Sequence, residues 1–196
     1  MVQQYTKAMI RKEFIEMLNE KPINKITVKD LSIKCNINRN TFYYHYSDVY
    51  ELLSELFQLE LEKVIDEYND TFSWEESFVM AAEFALKNKK AVYHVYNSMQ
   101  REELVNYIYN IAGNIMGKYV EKQSQSIDSY EEDVVLISSF YQCALTEMVL
   151  RWILDGMKEN PEEVIGRIGK LFDGNIKMSL KRSEELKKEE NFKEVR

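Results

Sequence analysis

The sequence predicts an all-α protein, and three observations carry that expectation. Prolines and glycines number only two and six in 196 residues, so helix breakers are scarce. Apolar residues recur at the i, i+3, i+4, i+7 spacing of a buried helix face in one segment after another. No apolar/polar alternation bounded by turn residues persists long enough to make a strand. The 45% hydrophobic content suffices for a sizeable core, and 30% charged with 12% aromatic residues is not the composition of a disordered chain.

Each element has its own signals. Ile10, Phe14, Met17 and Leu18 form one stripe of a first helix over residues 6–19, which Lys21-Pro22 ends. Thr27 is a good N-cap, and Asp30 places a carboxylate in the first turn of a short second helix with Val28, Leu31 and Cys35 inward. Asn36 tolerates the left-handed backbone of a tight turn, and Ile37 plugs the core beneath it. Asn38 caps a third short helix, residues 39–45, with Phe42 inward and Tyr46 closing it. Ser47 is expected to cap a fourth helix over 48–69, buried through Leu52, Leu53, Leu56 and Leu59.

Ser73 with Glu76 three residues on is a capping box, opening a fifth helix toward Leu86. A short helix over 91–98 follows, then long ones over 101–122 and 128–154, the latter stopped at Gly156. Asn160-Pro161 starts a last helix that the pattern carries to Arg182. The expected division is residues 1–48, 49–182 and a charged, frayed tail 183–196.

Several classes fall away. No stretch approaches ~20 uninterrupted apolar residues, and residues 1–12 lack the apolar core of a signal peptide. The expectation is a cytoplasmic protein with no membrane partner. Cys35 and Cys143 lie far apart in apolar patterns and read as buried free thiols. His94 has no second ligand at metal spacing, and there is no glycine-rich phosphate loop, nucleophile elbow or Cys/His pair. No enzymatic activity, metal or cofactor is expected.

The net charge of −7 is unevenly spread: residues 1–50 hold eight Lys and Arg against five Asp and Glu, which leaves −10 on the remainder. A mildly basic head on an acidic body suits a DNA reader with a separate regulatory part. Two short helices joined by a tight turn form a helix-turn-helix pattern, whose second helix enters the major groove. The outward side of that helix offers Arg39, Asn40, Thr41, Tyr43, Tyr44 and His45 around Phe42. Arg can fork onto guanine, Asn onto adenine, and a Thr methyl can touch thymine. Tyrosines and the amides at the helix start suit phosphates. An ordinary solvated helix would carry Glu and Lys there instead.

The run Ile26-Thr27-Val28-Lys29-Asp30-Leu31, then Asn36 through Tyr46 with its Thr-Phe-Tyr-Tyr-His-Tyr phrase, then Asp48 and Leu52, resembles the N-terminal signature of the TetR/AcrR regulators. The resemblance covers about residues 5–55. It implies a homodimer on a palindromic, double-stranded operator, acting as a ligand-responsive repressor. It further implies DNA-facing roles for Thr27, Arg39, Asn40, Thr41, Tyr43, Tyr44 and His45, with Phe42 structural. Two positions depart from the family: Asn36 stands for the usual turn glycine, and Val49 for a phosphate-binding lysine, a contact that Lys29 and Lys7 could supply instead. An apolar residue at 49, with the segments 95–98 and 152–156, is similar to the subgroup of the dihydroxyacetone kinase regulator.

The helix over 128–154 is apolar nearly all round, which requires partners on two sides. By the resemblance the second partner is its twin across a dimer axis, with Phe140, Met148 and Trp152 joined by Ile165, Ile168 and Phe172 of the last helix. Gly166 and Gly169 would allow close approach. Phe78, Tyr93, Tyr96, Met99, Tyr107, Phe140 and Tyr141 could line an effector pocket, or could simply be core. The effector is open between a small molecule and a partner protein, in which case the chain is a coregulator or activator.

Overall fold

A computed structural model of the chain describes residues 2–71 and 73–194. Among them there is no strand; the elements are α1 (Val2–Glu20), a 3-10 turn (Ile23–Lys25), α2 (Val28–Lys34), α3 (Arg39–His45), α4 (Val49–Thr71), α5 (Trp74–Lys87), α6 (Lys89–Tyr96), α7 (Arg101–Ser124), α8 (Glu131–Leu154), α9 (Pro161–Phe172) and α10 (Asn175–Glu194). The contacts divide the chain into two compact units. One comprises residues 1–63 with 83–107, the other 64–82 with 108–196. Residues 1–48 therefore do not stand alone: α6 and the start of α7 belong with them.

The first unit closes around Ile10, Phe14, Leu31, Phe42 and Leu52, all fully buried. Polar groups fasten α1 to α6. Asn19 Oδ1 accepts from the Ala91 amide at 3.1 Å, Asn19 Nδ2 donates to Asn88 Oδ1 at 3.2 Å, and His94 Nδ1 lies 2.6 Å from the Leu18 carbonyl. These bonds satisfy backbone groups at two helix ends that would otherwise be orphaned. The start of α4 is capped by Asp48, not Ser47: Asp48 Oδ1 accepts from the Tyr50 and Glu51 amides at 2.8 and 2.9 Å. Ser47 instead donates from its amide and its hydroxyl to Glu51 Oε2, which reaches back to it, at 2.6 and 2.7 Å.

The second unit packs Ile111, Ile115, Met116 and Val120 of α7 with Leu145 and Ile153 of α8 and Leu180 of α10. The Ser73 cap on α5 forms, its Oγ accepting from the Glu76 amide at 3.1 Å. The single last helix expected to Arg182 is two. Gly174 at φ 73 breaks it, a conformation glycine adopts without a Cβ clash. The charged segment after Arg182 does not fray but continues α10 to Glu194, while residues 195–196 lie outside those described. Its anchors are the Ser183 hydroxyl, which accepts from the Tyr130 amide at 3.0 Å, the Lys187–Asp128 pair at 2.6 Å, and Tyr130 Oη donating to Glu190 at 2.6 Å.

Candidate nucleic-acid interface

The turn between α2 and α3 is built from local bonds. Thr27 Oγ1 accepts from the Asp30 amide at 3.1 Å and opens α2. Asn36, at φ 52, donates to the Ile33 carbonyl, and the Ile37 amide returns to Ser32 O at 2.9 Å. Asn38 Oδ1 then accepts from both the amide and the hydroxyl of Thr41, at 2.8 and 3.1 Å. Asn38 is thus both the cap that the sequence predicts and the group that holds the Thr41 side chain.

With Phe42 and Tyr46 buried, α3 has one orientation. Arg39, Asn40, Tyr43 and Tyr44 lie at i, i+1, i+4 and i+5 on its outer face, Tyr43 and Tyr44 being 55% and 69% exposed. Thr41 and His45 are half-buried on its flanks. Tyr44 and His45 meet edge to face at 5.1 Å between centroids, and Tyr43 stands on the edge of Phe42 at 5.8 Å. Thr27 and Lys29 are exposed at the start of α2. The arrangement offers a guanidinium, an amide and two phenols from a rigid base.

Ion pairs sort the cations of residues 1–50. Lys34 faces Glu13, Glu16 and Glu20 at 3.2–3.7 Å, Lys21 pairs with Asp30 at 3.4 Å, Lys12 lies 4.0 Å from Glu16, and Lys7 and Arg11 approach Glu55 at 2.8 and 3.6 Å. Among the described residues Lys25, Lys29 and Arg39 have no acidic partner. The positive excess is thus left beside the turn and α3. Val49, standing where the family pattern has lysine, is 6% exposed and part of the core. Lys7, one of two residues expected to make good that contact, is committed to Glu55 and to the Tyr46 ring, 5.0 Å from its centroid.

That cluster is a feature the sequence reading missed. Glu55, on α4, gathers Lys7 and Arg11 of α1 at the end of α3. Burial acts to raise its carboxyl pKa, but the Lys7 hydrogen bond, Tyr46 and the two cations outweigh burial and hold it below the ordinary glutamate range. Burial, reinforced by Glu55, pushes the Tyr46 phenol far up. The only sequence signal was a Lys7, Arg11 spacing of four, placing both on one side of α1.

The residues expected to form an effector pocket divide between the two units. Tyr93, Tyr96, Met99 and Tyr107 belong to the first unit, and Phe78, Phe140 and Tyr141 to the second. Tyr96 is buried under the Arg101 guanidinium, 4.4 Å from its ring, and Tyr107 stacks on Phe57 at 4.8 Å. Phe78 is core, Met99 is 97% exposed, and Phe140 points outward at 69% exposure. Tyr141 alone of the seven lines the cavity described in the second unit. Helical period identifies a buried side but not which buried residues border a void.

The outer face of α8 carries Val135, Leu136, Phe140, Cys143, Met148 and Leu154, all exposed, and Leu171 and Phe172 of α9 are exposed as well. Of the other residues expected at a dimer interface, Trp152, Ile165 and Ile168 are half-buried; the Trp152 indole donates to the Glu159 carbonyl at 3.0 Å. Cys143 is therefore not the buried thiol expected, because it sits on this outer face; Cys35 is buried. Gly169 makes room for this unit's own Glu75, whose Oε1 would lie 2.7 Å from a Cβ there, while nothing faces Gly166 within 4 Å. By length and composition alone α8 could cross a membrane, contrary to the sequence expectation that no segment could.

A TetR C-terminal family model, described as the transcriptional regulator C-terminal region, matches residues 73–174, just over half of the chain. The chain belongs to the TetR family of transcriptional regulators. Among curated relatives it is 26% identical over 171 residues to the HTH-type transcriptional regulator YxbF of Bacillus subtilis (strain 168), covering 83% of this chain but only 43% of YxbF. It is 20% identical over 132 residues to the HTH-type dhaKLM operon transcriptional activator DhaS of Lactococcus lactis subsp. lactis (strain IL1403), covering 66% of this chain and 68% of DhaS. The solved structure titled dihydroxyacetone kinase operon activator DhaS superposes with a TM-score of 0.75 at 19% identity, over 88% of this chain and 97% of that one. The chain is thus a TetR-family protein similar to the DhaS subgroup, and its α2–turn–α3 segment carries the exposed guanidinium, amide and phenols described above.

Proposed function

We propose that the protein works as a homodimer that sets α3 of each copy into successive major grooves of a palindromic operator, under control of an effector. The observation that carries the reading is the outer face of α3: Arg39, Asn40, Tyr43 and Tyr44 exposed around a fully buried Phe42. Arg39 and Asn40 are the base-reading candidates, with Thr27, Lys29 and the phenols on phosphates. Thr41 and His45 flank them. A symmetric reader calls for half-sites about 34 Å apart.

Dimerisation is supported by the apolar outer face of α8 and α9, since contiguous exposed apolar surface of this kind marks an interaction site. A twin helix suits it better than lipid. Glu147 and Arg151 lie on the same face, paired at 2.9 Å and well exposed, and burying them in hydrocarbon would be costly. An effector acting on the second unit would reach the reading head through α4, whose residues 49–63 belong to the first unit and 64–71 to the second. The DhaS relatives are named as operon activators, which favours activation over repression as the output.

Arg39→Ala and Tyr44→Ala test the reading by operator binding in fluorescence anisotropy, with operators first selected from random DNA. Each should weaken binding by about 1–3 kcal/mol, with the oligomeric state unchanged and with affinity that falls steeply with salt. Full-strength binding by both variants would overturn it.

A further inference from the structure

The second unit holds a cavity of about 180 Å³ whose wall is acidic and aromatic. Glu75 enters it from the first turn of α5, and Asp173 from the break between α9 and α10. Trp74, Tyr119, Tyr141 and Phe172 supply rings. The Glu75 carboxylate lies over Gly169, where a Cβ would meet Oε1 at 2.7 Å and oblige the carboxylate to shift. Both carboxylates act on one side chain. Burial raises the Tyr119 phenol, and the charges of Glu75 and Asp173 raise it further. Among the described residues neither carboxylate has a cationic partner in an ion pair. Lys177 also lines the cavity but offsets only one of the two charges.

We propose that this cavity binds a small organic cation, an amine or quaternary ammonium with an apolar body, as the effector of the regulator. The identity of the occupant rests on the ligand-responsive reading above; the site itself does not. Ring faces present negative quadrupole density to a cation, and a carboxylate partly withdrawn from water adds Coulomb attraction. An anion would meet two carboxylates, and a neutral molecule of the same shape would leave one of the two charges without a counter-charge. The volume falls short of the ~300 Å³ at which pockets for drug-sized ligands begin, which restricts the occupant to a small molecule.

The test is calorimetry on the full-length protein with choline, its uncharged isostere 3,3-dimethylbutan-1-ol, and benzoate. Choline should bind at least about tenfold more tightly than the isostere, and benzoate should not compete. Glu75→Gln should cut choline affinity about tenfold with little effect on the isostere. Should Glu75→Gln fail to fold, as judged by circular dichroism, Asp173→Asn at an exposed position replaces it with the same expectation. Equal binding of choline and isostere, preference for benzoate, no choline binding, or undiminished affinity in the folded variant would each overturn the proposal. Operator binding is measured with and without choline. Choline that binds at Glu75 but leaves operator affinity unchanged would overturn the effector role and the small-molecule control proposed above, and would leave the cation site standing.

Discussion

Asn36 shows how one residue fixes the reading head. At φ 52 it bears a conformation that costs an ordinary L-residue about 1–2 kcal/mol. Asn36→Gly should keep or raise stability, whereas Asn36→Val should lose about 1–2 kcal/mol in urea unfolding. Asn38→Ala removes the acceptor for two Thr41 donors and should cost about 1 kcal/mol. Glu55 gives the head a pH dependence. Its folded pKa lies below its unfolded value, so the unfolded chain binds the extra proton first. The stabilisation is present above the ordinary glutamate range and is lost as pH falls through the folded value. In Glu55→Gln the unfolding free energy at neutral pH should be lower, and its decline between neutral pH and acid shallower; an unchanged slope would count against the cluster.

At the scale of elements, α10 departs furthest from what its composition suggests. Its last part is rich in Lys and Glu and reads as solvated, yet Leu180 is fully buried and Ser183, Lys187 and Glu190 each hold a group next to α8. Ending the chain at Arg182 should lower the melting temperature, and Leu180→Ala should cost about 2–5 kcal/mol. The α9–α10 break was equally hidden: Gly174 was one glycine within a long periodic run, and glycine inside a helix is tolerated often enough that its presence alone does not end one. The caps, by contrast, were legible at Thr27, Asn38 and Ser73, because a cap needs only a short side chain and the amide two or three residues ahead. Ser47 was misread because Asp48 beside it is as good an acceptor, and only the backbone geometry chooses between neighbours.

For the whole molecule, the outer face of α8 is where the proposed dimer can be tested. In a dimer Phe140→Glu would place a carboxylate against apolar surface, so that variant should sediment as a monomer and bind operator weakly, with its helical content intact. Cys143 on the same face supplies a second measurement. Its reaction with a maleimide should be slow in the wild type at high concentration and fast on dilution or in Phe140→Glu. A protein that stays monomeric with Cys143 fully reactive at all concentrations would exclude this interface.

The sequence by itself determined whatever depends on near neighbours in the chain: the helical class, the α2–turn–α3 geometry, and the outward Arg39, Asn40, Tyr43 and Tyr44, since a buried Phe42 leaves a seven-residue helix one way to face. Only the tertiary structure decided which cations are neutralised, why Cys143 is exposed, and that Glu75 and Asp173 share a cavity with aromatic rings. Those facts depend on pairs of residues tens to a hundred positions apart. Periodicity reports that a side chain is turned inward, and packing alone settles what it meets there.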